Sequence, residues 1–190
     1  VFVAIVLFLF ATVVAFVTIG IYNRLVGLKN AAATSWSNVG VLLKQRHDEL
    51  PKLIEVCKQY MKHERETLER VIEARGAVYA ANESGDVRKL GAAESGLRAQ
   101  LGKLFAVAEA YPDLKADTIF LQLQTRISGL ETSIADRREI YNDATNSNNT
   151  AIEQFPAVLI ADMFGFNAFA LFEFDAEAIA DVDVKALFRA

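Results

Sequence analysis

Residues 25–60 read LVGLKNAAATSWSNVGVLLKQRHDELPKLIEVCKQY, and this stretch decides the fold. Leu25, Leu28, Ala32, Trp36, Val39, Leu43, Arg46, Leu50, Leu53, Cys57 and Tyr60 follow one another at steps of three and four. That spacing is one face of a helix burying a single stripe against partners. The pattern resumes through Leu68, Val71 or Ile72, Arg75 and Val78. Pro51 removes a backbone donor and crowds the preceding turn, so a kink is expected near Glu49–Leu50.

Asn82-Glu-Ser-Gly85-Asp86 then breaks the run, with Gly85 as a stop signal and Asp86 as an N-cap. A second helix reads Val87, Leu90, Leu97, Leu101, Leu104 and Ala108 and ends at Tyr111-Pro112. Asp113 to Asp117 forms the connection, and Asp117 is placed to cap the next helix. The third helix runs through Phe120, Leu123, Ile127, Leu130, Ile134, Tyr141, Ala144, Asn148, Ile152 and Phe155 until Pro156 closes it. Three long helices joined by short turns run antiparallel to their neighbours. No segment alternates with period two over several turns, so the fold class is all-α, an up-and-down helical bundle.

Upstream of the stripe, Val1 to Tyr22 contains no charged side chain. As a helix this run spans roughly 33 Å, enough to cross a hydrocarbon core. It is longer than the apolar part of a signal peptide, and no Ala-x-Ala site follows it before Asn23 and Arg24. Residues 1–22 are therefore expected to be a transmembrane anchor, with Ala11 and Ala15 as a small-residue pair that lets helices approach in lipid. Arg24 and Lys29 follow the span; by the positive-inside rule alone they would place the next domain in the cytoplasm.

The expected organisation is an anchor over 1–22, a helical bundle over 23–156 and a Phe-rich acidic segment over 157–190. Seven of the 13 Phe residues lie from Phe155 onward, and residues 139–190 carry nine acidic and two basic side chains. The aromatic side of Phe172-Glu-Phe-Asp175 is expected to pack back on the bundle, with a neighbouring subunit as the alternative. With 190 residues and a net charge of −4, the chain lacks the basic excess of a nucleic-acid binder. Its single Cys rules out an internal disulfide framework.

Catalytic constellations are missing. His47 and His63 do not form His-Glu-x-x-His, and neither is preceded by Glu at three residues as a di-iron bundle requires. Gly96 to Lys103 only faintly resembles a phosphate loop, and its glycines are read as sites of close helix packing. Cys57 falls on the stripe as a small core side chain, and Asp181-Val-Asp183 is too little for a cation loop. No catalytic, cofactor or metal residue is assigned. Arg46, Asp48, Glu109, Glu131, Arg138, Asn142 and Asn148, on or beside the stripe, are read as paired polar layers that fix helix register.

Taken in order, several pieces resemble the LemA family of bacterial membrane-anchored proteins. They are Tyr22-Asn-Arg-Leu-Val26 with Asn30, Trp36, Leu43-Lys-Gln-Arg46-His-Asp48-Glu-Leu-Pro51-Lys-Leu53, Tyr60-Met-Lys-His63-Glu64 and Glu73-Ala-Arg75. Glu109-Ala-Tyr111-Pro112-Asp113-Leu-Lys115-Ala116, Phe120-Leu-Gln-Leu123, Glu131, Arg137-Arg138-Glu-Ile-Tyr141-Asn142, Asn148 or Asn149, Phe155-Pro156 and Phe164-Gly-Phe166 complete the series. The resemblance implies a single-pass anchor in the bacterial inner membrane, an extracytoplasmic bundle and a family without an established enzymatic activity, so no enzyme is expected. It also implies a tie to magnetosome membrane biogenesis in some paralogues and gene neighbourhoods with membrane proteases. The expected function is a scaffold that contacts the lipid bilayer, self-associates as a homo-oligomer and engages envelope proteins. The alternative is a sensor or adaptor that binds a ligand or peptide and modulates a membrane protease.

Overall fold

The computed structural model describes residues 1–174. Among them are six helices and no strand: α1 Phe2–Tyr60, α2 Arg65–Glu83, α3 Val87–Ala108, α4 Pro112–Ala116, α5 Thr118–Glu153 and α6 Ala157–Phe164. The all-α bundle expectation holds. Asp181-Val-Asp183 and the rest of the acidic end lie outside the described residues. The chain divides into two compact units, Val1–Val41 with Ala135–Leu171, and Leu42–Ile134 with the segment from Phe172.

In the first unit, no side chain from Val1 to Arg24 is buried. Farther along the same helix Leu25, Ala32 and Val39 are buried at seven-residue steps. In the same unit Tyr141, Thr145, Asn148 and Ala151 form the inward stripe of the last turns of α5, and Leu25 clusters with Ala151. The Trp36 and Tyr141 rings meet at 4.9 Å. Leu25, Ala151, Ile160 and Ala161 form a core cluster, flanked by Ile21, Leu28, Ile152, Ala157 and Phe166. Gly165, at φ 68°, ends α6 in the left-handed region that favours glycine, and Phe166 N–H donates back to the Ala161 carbonyl.

The second unit has four long helical walls: the end of α1, α2, α3 and the first part of α5. The stripe pattern predicts three long helices; the chain makes an additional turn at Met61–Glu64. Met61 N–H closes on the Cys57 carbonyl, Glu64 N–H on Met61, and Leu68 N–H on Glu64, so α1 ends and α2 begins within four residues. Met61 is itself fully buried. The turn therefore carries its own core residue, and neither Gly nor Pro interrupts the apolar pattern to announce it.

The other junctions follow expectation. Gly85 adopts φ 68°, and the Asp86 carboxylate accepts from Arg88 and Lys89 N–H at 3.1 and 3.2 Å. Tyr111 precedes the single turn of α4, which begins at Pro112. Asp117 then caps α5 by accepting from Ile119 and Phe120 N–H at 2.8 and 3.0 Å.

Pro51 lies inside α1, which is continuous through it. A proline here leaves the carbonyl of residue 47 without its helical donor. Arg75 on α2 replaces that donor: its Nε–H reaches the His47 carbonyl at 3.0 Å. A neighbouring helix thus satisfies the backbone group that the proline frees.

Candidate functional site

Arg46 occupies an inward position of α1 between Leu43 and Leu50, with its side chain 1% exposed. One guanidinium nitrogen donates to Glu94 of α3 at 2.5 Å and another to Glu131 of α5 at 2.6 Å. A single cation therefore ties three helices at one level. Burial alone would make Arg46 easier to neutralise, but the two carboxylates more than offset this and hold its proton more firmly. Burial pushes the Glu94 carboxyl above the usual range, partly countered by Arg46. The buried charges of Arg46 and Glu94 are tolerable only because Arg46 is hydrogen-bonded to Glu94 and to the partly buried Glu131.

A second polar level lies along α1 and α2. Arg75 Nη2 donates to His47 Nε2 at 2.6 Å, and the imidazole lies against the Tyr79 ring at 5.2 Å. As the acceptor His47 must be neutral; burial, followed by the Arg75 charge, lowers its pKa. Glu49, also buried, pairs with Lys52 and with Arg126 of α5, each at 3.2 Å.

At the Tyr60 end of the second unit, Tyr60 O–H donates to the capping Asp117 at 2.9 Å, and Tyr111 O–H donates to Glu64 at 3.1 Å. Backbone N–H donors, Phe120 foremost, and the Tyr60 hydroxyl hold the Asp117 carboxyl below the usual range. Cys57, on the same stripe as Leu53, is fully buried, and burial pushes its thiol up to about 12. It is a core side chain rather than a thiolate nucleophile.

In the first unit, the chain beyond α6 is clasped onto α5. Asn149 accepts from Phe169 N–H and donates to the Phe169 carbonyl, both at 2.9 Å. Tyr141 O–H donates to the Ala170 carbonyl at 2.8 Å. The side-chain amide thus pairs with an extended backbone as a neighbouring strand would. In the second unit, Phe172 is fully buried and meets Phe174 edge-on at 5.4 Å. The Glu173 carbonyl lies 1.9 Å from where a Cβ on Gly91 would stand, so only glycine admits this backbone.

Of the polar residues selected by stripe position, Arg46 and Asn148 are buried and Glu131 is partly buried. Arg138 and Asn142 are half-buried. Asp48 and Glu109 are exposed instead. Asp48 is two residues past Arg46 and points away from the stripe, while Glu109 lies beyond the end of α3 and pairs with Lys115. The stripe reading does not single out Glu94 or Glu49, both of which are buried. Glu94 completes the series Leu90, Glu94, Leu97, Leu101, so the spacing itself carries the signal. Gly96 and Gly102 are exposed with open space around them, so the expected close packing occurs at Gly91.

Among the described residues, no group of three or more His, Cys, Asp and Glu is placed to hold a metal ion. An open groove of about 450 Å³ lies where α1 turns into α2, lined by Lys58, Met61, Lys62, Arg65 and Leu68 among others. Arg65 is already paired with Glu69 at 2.7 Å. The inward polar groups hold helices and chain segments to one another.

Residues 35–186 match the LemA family. The chain belongs to the LemA family. It is 30% identical to Protein LemA of Metamycoplasma hominis over 176 residues, covering 90% of this chain and 78% of that protein. It is also 30% identical to Magnetosome protein MamQ 2 of Paramagnetospirillum magneticum over 106 residues, 56% of this chain and 39% of that relative. Magnetosome protein MamQ of Magnetospirillum gryphiswaldense is 27% identical over 99 residues, 52% of this chain and 36% of its own length. The chain thus spans well under half of these magnetosome relatives. The helix Phe2–Tyr60 is long and apolar enough to cross a membrane.

Proposed function

We propose that this LemA-family chain is a membrane-anchored, non-enzymatic scaffold of the bacterial envelope. Residues 1–22 form the anchor, residues 23–156 the bundle and residues 157–190 a Phe-rich acidic C-terminal segment. One observation carries this reading: the exposed apolar start of α1 continues without a break into the turns that bury Leu25, Ala32 and Val39. Attachment and bundle are therefore one helix, and no linker separates them. The buried charges and amides support the scaffold reading, since Arg46, Glu94, Glu131 and Asn149 bind other parts of the chain.

The proposed setting is the inner membrane, crossed once, with the bundle outside the cytoplasm. The proposed partners are further copies of the chain and other envelope proteins. Co-purification from native membranes in mild detergent tests the function. A homo-oligomer, alone or with structural envelope proteins, is expected. Stoichiometric recovery of a membrane protease whose cleavage rate the chain changes would favour the adaptor alternative. A monomer without partners would contradict the scaffold.

A further inference from the structure

Helix α6 leaves an apolar face uncovered beside the end of the proposed anchor. Its inward side, Ile160 and Ala161 with Ala157, packs on Leu25 and on the flanking Ile21 and Leu28 of α1. On the outward side Leu159 is 57% exposed and Met163 74%, with exposed Asp162 between them in sequence; Phe164 is 54% exposed beside Tyr22, and Phe155, at 81%, stands just ahead of the helix. Large apolar side chains grouped this way mark a contact surface.

The place of α6 identifies what covers it. Ile21, Tyr22 and Leu25 are where the uncharged run of α1 ends, and Arg24 is the first charge after it. The Tyr22 ring meets Phe164 at 4.9 Å and Phe166 at 5.7 Å, both edge-on. Tyrosine at the end of a span belongs at headgroup level. A span that places Tyr22 there brings α6, held on the same two turns, to the same depth. One buried side, and an outward side that presents Leu159 and Met163 with the single carboxylate of Asp162, suit a short helix lying in the boundary between headgroups and acyl chains.

We infer that α6, with Phe155, is a second membrane contact: an interfacial helix that dips its outer face into the bilayer leaflet where the anchor emerges. The inference rests on reading residues 1–22 as a membrane anchor. A protein partner would have to cover the same side chains at the membrane surface, where lipid already adjoins them. Two contacts in place of one would restrict how the first unit tilts on the membrane, which a lone span does not do.

The test uses the full chain with Cys57→Ala, reconstituted in phosphatidylcholine–phosphatidylglycerol vesicles. A nitroxide is attached in turn at Leu159→Cys, Met163→Cys, Val14→Cys in the span and Glu69→Cys in water. Collision rates with oxygen, which concentrates in lipid, are compared with those of a water-soluble nickel chelate. The labels at 159 and 163 should favour oxygen over nickel, reading between the span and Glu69, and should not change as protein is diluted with lipid. If both read like Glu69 while Val14 reads as lipid, the interfacial helix is wrong and the anchor stands. Water-like values at Val14 as well would remove the anchor reading and this inference with it. Spin–spin broadening at 159 that disappears on dilution with lipid, leaving a water-like label, would show that a second copy covers the face and would overturn the proposal.

Discussion

Arg75 on α2 supplies to the His47 carbonyl the hydrogen bond that Pro51 on α1 cannot make. The two residues act as one device. Proline removes a donor from the interior of a long helix, and an arginine from the next helix replaces it while also holding the His47 ring. Leaving a partly buried carbonyl without a donor costs about 1–3 kcal/mol, so Arg75→Ala should destabilise the chain by that order. Pro51→Ala should restore the local donor and make Arg75→Ala cheaper. A double-mutant cycle by thermal or denaturant unfolding in detergent should give a coupling of about 0.5–3 kcal/mol. Additive effects would show that Arg75 does not act through the freed carbonyl.

The same contact makes acid destabilising. Neutral His47 accepts from Arg75, and burial together with the adjacent Arg75 charge places its folded pKa below the ordinary 6.5. The stability it contributes is complete above that ordinary value and is lost as pH falls from there through the lowered folded value. His47→Gln, which keeps an acceptor but does not titrate, should flatten the stability slope across this window. An unchanged slope would assign it to other groups.

At the triad, the prediction concerns what remains behind. Arg46→Met strands Glu94 in the core without its cation and should cost about 3–5 kcal/mol. Arg46→Met with Glu94→Leu and Glu131→Leu removes all three charges and should recover most of that loss, because well-packed apolar replacements of buried ion pairs are often neutral or stabilising. Urea unfolding of both variants checks this. A single substitution that is silent would show that the Arg46 site admits water.

Two glycines of α3 should respond in opposite directions. At Gly91 a Cβ meets the Glu173 backbone, so Gly91→Ala should displace the segment bearing Phe172 and lower stability. At Gly96 nothing lies within 4 Å, so Gly96→Ala should stabilise by about 0.5–1 kcal/mol through helix propensity. Limited proteolysis of Gly91→Ala should cut near Phe172 faster than in the parent chain.

Much of this fold is legible in the sequence because a helix that buries one stripe repeats every three or four residues. Leu25 to Cys57, Leu90 to Ala108 and Phe120 to Tyr141 all announce themselves this way; past Tyr141 the spacing runs through Ala144, Asn148 and Ile152, whereas Thr145, Asn148 and Ala151 are the buried residues. So do the caps, since Asp86 and Asp117 each stand directly before an apolar series. The turn at Met61–Glu64 does not, because Met61 fills the core and keeps the apolar pattern unbroken across it. Glu94 is readable in principle, being a charge at a stripe position, whereas Asp48 and Glu109 lie near the stripe in sequence but not on it. The pairing of Pro51 with Arg75 depends on how α1 and α2 align, and the fit of Gly91 to Glu173 on where the chain returns. Spacing within one helix encodes neither.

Orientation can be read directly in cells. Glu69 is exposed on α2, while Cys57 is fully buried. In a Cys57→Ala background, Glu69→Cys should react with a membrane-impermeant maleimide in intact cells or spheroplasts if the bundle is outside the cytoplasm. Labelling only after lysis would show that Arg24 and Lys29 retain the domain inside.

The most direct measurement of the central claim, that α1 is at once anchor and bundle wall, is alkaline carbonate extraction of membranes. It compares the full chain with a chain beginning at Asn23. The full chain should stay with the membrane pellet. The shortened chain should be released by carbonate, with its helical circular dichroism and cooperative melting retained. Release of the full chain, or loss of the bundle's cooperative melting when residues 1–22 are removed, would contradict the account.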